Sequence, residues 1–226
     1  MLDKNKKVAL NFENLHESLI KKFLQFEVTS LPIHDKWKKE GLGGGYSVVL
    51  DGGSFFDKAG INFSQISGEA LPRSSVGKEN FEDAPYFATG VSVVFHPKNP
   101  NIPTSHLNVR YFCTFRDGEV LEEWFGGGFD LTPYILFEED CLLWHENAKK
   151  ASGHNYEKWK TNCDNYFYLE HRNEYRGIGG VFYEKQKFKD INQGIGLSEE
   201  IVKAFIDSYL EIISRRKDLK FSDRQK

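Results

Sequence analysis

The sequence predicts an α+β protein, in which hairpin-linked strands build a mostly antiparallel sheet and helices gather toward the two ends of the chain. Three observations lead there. Between about Gly41 and Tyr134, short β-branched and aromatic runs alternate with glycine and Asx turns, strand after strand. Apolar residues recur at helical spacing before that region and again after it. The length, 226 residues, suits one core, so 1–226 reads as a single domain.

The opening helix is predicted over about Asn11 to Glu27, where Leu15, Leu19, Ile20, Phe23, Leu24 and Phe26 recur at helical spacing. The stretch GLGGGYSVVLDGGSFFDKAGINFSQISGEAL then reads as successive strands. Its triple glycine is read as a bend between helix and strand, since it lacks both the GK[ST] ending and the GxGxxG spacing of a nucleotide loop. Asp51-Gly52-Gly53 is a hairpin signal. Two more strands, ATGVSVVFHP and SHLNVRYFCTF, flank the loop KNPNIPT, and Asp117-Gly118 turns the chain into EVLEEWFGGGFDLTPY. Helical patterns return at Glu138 to Ala151, at Tyr156 to His171, and from Ser198 to about Arg216. The last has Ser198 as N-cap, Glu199 and Glu200 in its first turn, and Arg215-Arg216 at its end. A short strand, GGVFYEK, precedes it.

Lys+Arg 30 against Asp+Glu 33 gives a formal charge of -3, which excludes a global basic field for nucleic acid or an anionic membrane surface. Any anionic ligand must be held by local charges. Arginine is scarce, eight against 22 lysines, yet Arg110, Arg172 and Arg176 fall inside the Gly- and His-containing segments. Cys113, Cys141 and Cys163 have no CxxC spacing and fit a reduced compartment, with cytoplasm the expected location. The N-terminus shows neither a secretory nor a transit pattern, and no apolar run reaches the length of a membrane span.

Side chains alternate across a strand, so His106, Asn108 and Arg110 in SHLNVRYF share one face and Leu107, Val109 and Tyr111 the other. The polar set reads either as a proton-transfer group, a neutral hydrogen-bonding group and an anion clamp about 7 Å apart, or as an ordinary solvated face. Ser92 and His96 in GVSVVFHP share a face too, and a hairpin would bring them toward the first set. In WFGGGFDLTP three glycines precede Asp130, which reads either as an acid held out at the rim of a turn or as an N-cap or Asx turn. HRNEYRGIGG ends a helix with Arg172 and Arg176, as dipole-complementing cations or as an anion site. His96, His106, His145 and His171 have no HxxxH or HxH spacing, so a metal does not follow from spacing. A GxSxG elbow and a Cys-centred motif are both missing.

Taken together, GGGYSVVLDGGSFFDKAGINFSQISG, GVSVVFHPKNPNIPTSHLNVRYF, WFGGGFDLTPY, Trp144-His145 and HRNEYRGIGGVFYE resemble successive blocks of the oxygen-dependent coproporphyrinogen III oxidases, in the family's order, from about Gly41 to Glu184. The resemblance implies a large, flat, mostly antiparallel sheet flanked by helices, and a homodimer. It implies conversion of two propionates of coproporphyrinogen III to vinyls, with dioxygen as co-substrate, carbon dioxide and hydrogen peroxide released, and no organic cofactor. By the same resemblance His106 is the proton donor and Asp130 the acid facing the pyrrole nitrogens. Ser92, Asn108, Val109 and Arg110 contact substrate, and Arg176 joins Arg110 in gripping its propionates. A divalent metal at His96, His106, His145 and His171 is also implied, although one His106 serves poorly as both ligand and proton donor. Two departures stand out. Tyr46 occupies a position where the family usually has another residue, and the chain stops at FSDRQK where relatives continue through a further strand, a glycine-rich loop and a helix. The alternatives are a shortened, non-catalytic tetrapyrrole-binding or dimerising relative, and a metal-dependent oxygenase built on the histidines.

Overall fold

The structure, a computed structural model, describes residues 2–70 and 84–222. Leu71, at the end of the first run of expected strands, and residues 223–226 of the chain end lie outside them. The chain opens with helix α1 (Leu2–Phe23), longer than predicted because its first turns carry lysines that mask the apolar period. Val8, Phe12, Leu19 and Phe23 face the core, with His16 filling the same stripe.

Seven strands form one antiparallel sheet in the order β1-β2-β3-β4-β5-β6-β9. They are β1 (Ile33–Lys39), β2 (Gly43–Asp51), β3 (Phe56–Gly68), β4 (Tyr86–Pro97), β5 (Thr104–Arg116), β6 (Glu119–Thr132) and β9 (Gly179–Gln186). Strand β1 was not foreseen; its residues are almost all exposed at the sheet's edge, so no hydrophobic alternation marks it. It corrects the reading of the triple glycine as a bend: Gly43, Gly44 and Gly45 are strand residues paired with Lys39, Lys38 and Trp37. Asp117 (φ 51°) and Gly118 (φ 84°) make the two-residue hairpin joining β5 to β6, as Asp-Gly leads one to expect.

Helices α2 (Glu138–Ser152), α3 (Tyr156–Tyr166) and α4 (Ile191–Arg216) follow β6, with a two-stranded hairpin, β7 (Tyr168–Leu169) and β8 (Glu174–Tyr175), after α3. Helix α3 therefore stops short of His171, which lies in the β7–β8 turn. Helix α4 starts at its N-cap Asp190, whose side chain accepts from Asn192 N. Ser198, expected as the cap, is inside the helix and donates back to Gly194 O.

All four helices meet one face of the sheet. Phe23, Phe205 and Tyr209 pack on Phe95, Trp144 on Phe129, and Trp159 stacks on Tyr183. Helix α2 lies chiefly on α4, where Arg216 pairs with Asp140. Tyr46, the residue that departs from the family pattern, turns to this covered side, packing edge-on to His16 and bonding His34. The opposite face stays open at its centre. Among the described residues no helix is long and apolar enough to cross a membrane.

Candidate active site

The open face of β4, β5 and β6 is where the polar residues assemble. Strand alternation puts Leu107, Val109 and Tyr111 in the core and leaves His106, Asn108 and Arg110 partly exposed. Register then aligns Ser92 with Asn108, Val94 with His106, and His106 with Asp130 on the next strand. Val109 therefore has its side chain, 0 % exposed, on the covered side of the sheet and away from the other candidates.

Asp130 corrects both sequence readings of its position. It is neither a turn residue nor an N-cap but an interior residue of β6, with its side chain 2 % exposed. The preceding glycines lie in the strand because neighbouring backbone comes too close for anything else: a Cβ on Gly128 would sit 2.0 Å from Val181 O, and one on Gly180, opposite Asp130, 2.0 Å from Phe129 O. Flat, close-packed strands thus leave room above them.

Two donors converge on one oxygen of Asp130. His106 Nδ1 lies 3.2 Å and Arg176 Nη2 2.8 Å from Asp130 Oδ2. Arg176 reaches it from the segment after β8, which curls over the β9 edge, with its guanidinium carbon 3.8 Å from the Phe167 ring centroid. Together these residues line a cleft of about 310 Å³ that also takes in Ser92, Asn108 and Arg110. A second hollow of about 230 Å³ adjoins it, sharing Ser92, Asn108 and Arg110 and ending at Trp124.

Several polar atoms in this cleft are buried with no partner: Asn108 Oδ1, Arg110 Nε, Trp124 Nε1 and Arg176 Nε. Buried polar groups are normally bonded, so this concentration marks a surface shaped for a polar ligand. Trp124, Phe182 and Glu184 escaped the sequence reading. Trp124 alternates with Gly126, Gly128 and Asp130, and Phe182 and Glu184 with Gly180, so the strand period held the signal. Lys58 and Lys98 escaped as well; they line a hollow of about 520 Å³ beyond His96.

The four histidines do not assemble. The His96 and His106 rings are 6.3 Å apart, and His96 Nδ1 is bonded to Thr104 Oγ1. His145 uses both ring nitrogens, one with Ile178 O and one with Tyr156 Oη, and burial holds its pKa below the usual range. His171 is exposed in the β7–β8 turn. Among the described residues no group of three or more His, Cys, Asp or Glu side chains is placed to hold a metal ion, so the residues do not fit the expected metal. Burial pushes the Cys163 thiol up to about 12, which disfavours a thiolate nucleophile there. A family model described as Coproporphyrinogen III oxidase matches residues 7–226.

Proposed function

The chain belongs to the coproporphyrinogen III oxidase family, and from that membership we propose that it decarboxylates coproporphyrinogen III oxidatively on the open face of its sheet. The family uses dioxygen with no organic cofactor. The observation that carries the proposal is the convergence of His106 and Arg176 on Asp130 Oδ2 beside Ser92, Asn108 and Arg110.

Each reacting propionate becomes a vinyl by losing carbon dioxide, one proton and two electrons. Dioxygen takes the two electrons and two protons and leaves as hydrogen peroxide, so one proton per arm comes from outside the substrate. His106 suits that supply, since it is 28 % exposed at the cleft and its Nδ1 is fixed by Asp130. As the macrocycle gives up electrons its nitrogens become positive, and the carboxylate of Asp130, already oriented, stabilises that charge without reorganising. Arg110 and Arg176 provide guanidinium edges for propionates, Arg176 committing one nitrogen to Asp130 and keeping Nε for the ligand. Ser92 and Asn108 supply neutral hydrogen bonds between them.

Under air, the purified chain should consume oxygen with coproporphyrinogen III and give vinyl product and peroxide, and Asp130→Ala should lower kcat by roughly 100-fold or more. Normal turnover by that variant would remove the central assignment. Tetrapyrrole binding without oxygen uptake would make the chain a non-catalytic relative instead.

The proposal extends to a cytoplasmic homodimer. Strand β1 pairs only with β2 and is almost wholly exposed, an edge that a second copy would cover. Sedimentation should give twice 26.1 kDa; a monomer at micromolar concentration would count against pairing.

A further inference from the structure

We infer that Glu184 is a built-in stand-in for a ligand carboxylate: it occupies the Arg110 fork in the unliganded protein and gives way when a substrate arm binds, which makes it a specificity-determining residue. The inference rests on the proposed role of Arg110 in gripping a propionate.

Arg110 rises from β5, crosses β6 above Gly126 and donates from Nη2 to Glu184 Oε1 on β9 at 2.5 Å. Its position does not depend on that contact. A Cβ on Gly126 would come within 2.8 Å of Arg110 Nε, so the glycine forms a trough for the side chain. The guanidinium carbon lies 5.8 Å from the Trp124 ring centroid and 6.0 Å from that of Phe182, within cation–π range of both.

What Glu184 supplies is incomplete. A carboxylate grips arginine best through two parallel bonds, for example at Nε and Nη2. Glu184 takes Nη2, while Nε is buried without a partner. The glutamate is also 58 % exposed and free to swing into solvent. A ligand carboxylate that took both nitrogens would replace one charge-assisted bond with two and satisfy the orphaned donor.

The consequence is discrimination. A tethered carboxylate competes well against small free acids, which arrive one at a time. A macrocycle already anchored at Asp130 and Arg176 presents its arm at a high effective concentration and displaces it readily.

The test uses coproporphyrin III, the oxidised tetracarboxylate, titrated against the full chain by fluorescence. Glu184→Gln should bind it about two- to fivefold more tightly, the worth of an exposed ion pair, and acetate should compete more effectively against that variant. In an Arg110→Gln background the same change should give no gain. Unchanged or weaker binding by Glu184→Gln overturns the inference, as does a gain that persists without Arg110, which would mean general charge repulsion. Wild-type protein that binds the porphyrin but consumes no oxygen with the porphyrinogen would sink the proposed catalysis and leave this inference standing. Normal turnover with indifferent Glu184→Gln binding would do the reverse, and no binding by wild-type protein would remove both.

Discussion

Asp130 and its two partners are one unit of charge at the scale of single side chains. With its carboxylate buried and one oxygen serving both His106 and Arg176, loss of either donor leaves charge underbonded where water does not compensate. Hydrogen bonds to charged groups contribute about 1.5–3 kcal/mol. Arg176→Gln should therefore lower kcat/KM in an oxygen-uptake assay roughly 10- to 100-fold with the fold intact. Arg172→Gln is the control: its guanidinium is exposed and pairs with Glu174, so activity should stay within about twofold of wild type. Equal losses in the two variants would show that nearby positive charge, not the Asp130 contact, matters. In HRNEYRGIGG these arginines look alike, and only the β7–β8 hairpin, which sequence periodicity does not encode, turns Arg176 inward and Arg172 out.

Elements were legible where a face was buried and illegible where none was. The alternation in β4 and β5 separates His106, Asn108 and Arg110 from Leu107, Val109 and Tyr111 because one side must meet the core. Strand β1 buries neither side and left no trace; His145 and His171 were grouped with the strand histidines although one faces the α2–α3 packing and the other a turn. Helix α4 was cut short because the glycines of INQGIGLS look like a loop, yet Gly194 and Gly196 are both helical. Their roles differ. A Cβ on Gly194 would lie 2.1 Å from Phe125 Cε2, whereas one on Gly196 meets nothing within 4 Å. Alanine gains about 0.8–1 kcal/mol over glycine in a helix interior, so Gly196→Ala should raise the urea midpoint. Gly194→Ala should lower it, since overpacking against a buried ring costs about 1–3 kcal/mol. If both substitutions stabilise, the close packing of α4 on β6 is not a constraint.

Across the whole molecule, the seam between helices and sheet carries two histidines that are poor proton acceptors. His16 of α1 donates from Nε2 to Ile61 O in β3 and leaves Nδ1 buried without a partner; His145 of α2 is bonded to Ile178 O just ahead of β9. Burial is the leading cause that lowers the pKa of each. In the unfolded chain both take up protons near pH 6.5. Below that value the unfolded state binds more protons than the folded one, so stability falls as pH falls, until the folded values are reached; above it the contribution is complete. The slope is at most about 1.4 kcal/mol per pH unit for each histidine. Glu27 does not confuse this window: burial raises its pKa, but hydrogen bonds from Ser54, Phe55 and Phe56 outweigh that and lower it, so its contribution persists until pH falls to about 4.3. Urea midpoints should be level from pH 7 to 8 and decline from 6.5 to 5.5, with His16→Gln showing a shallower decline because its amide keeps the bond to Ile61 without titrating. A midpoint that stays constant down to pH 5.5 would mean that the helix layer can take up protons without loosening from the sheet, and that neither histidine is held neutral by the fold.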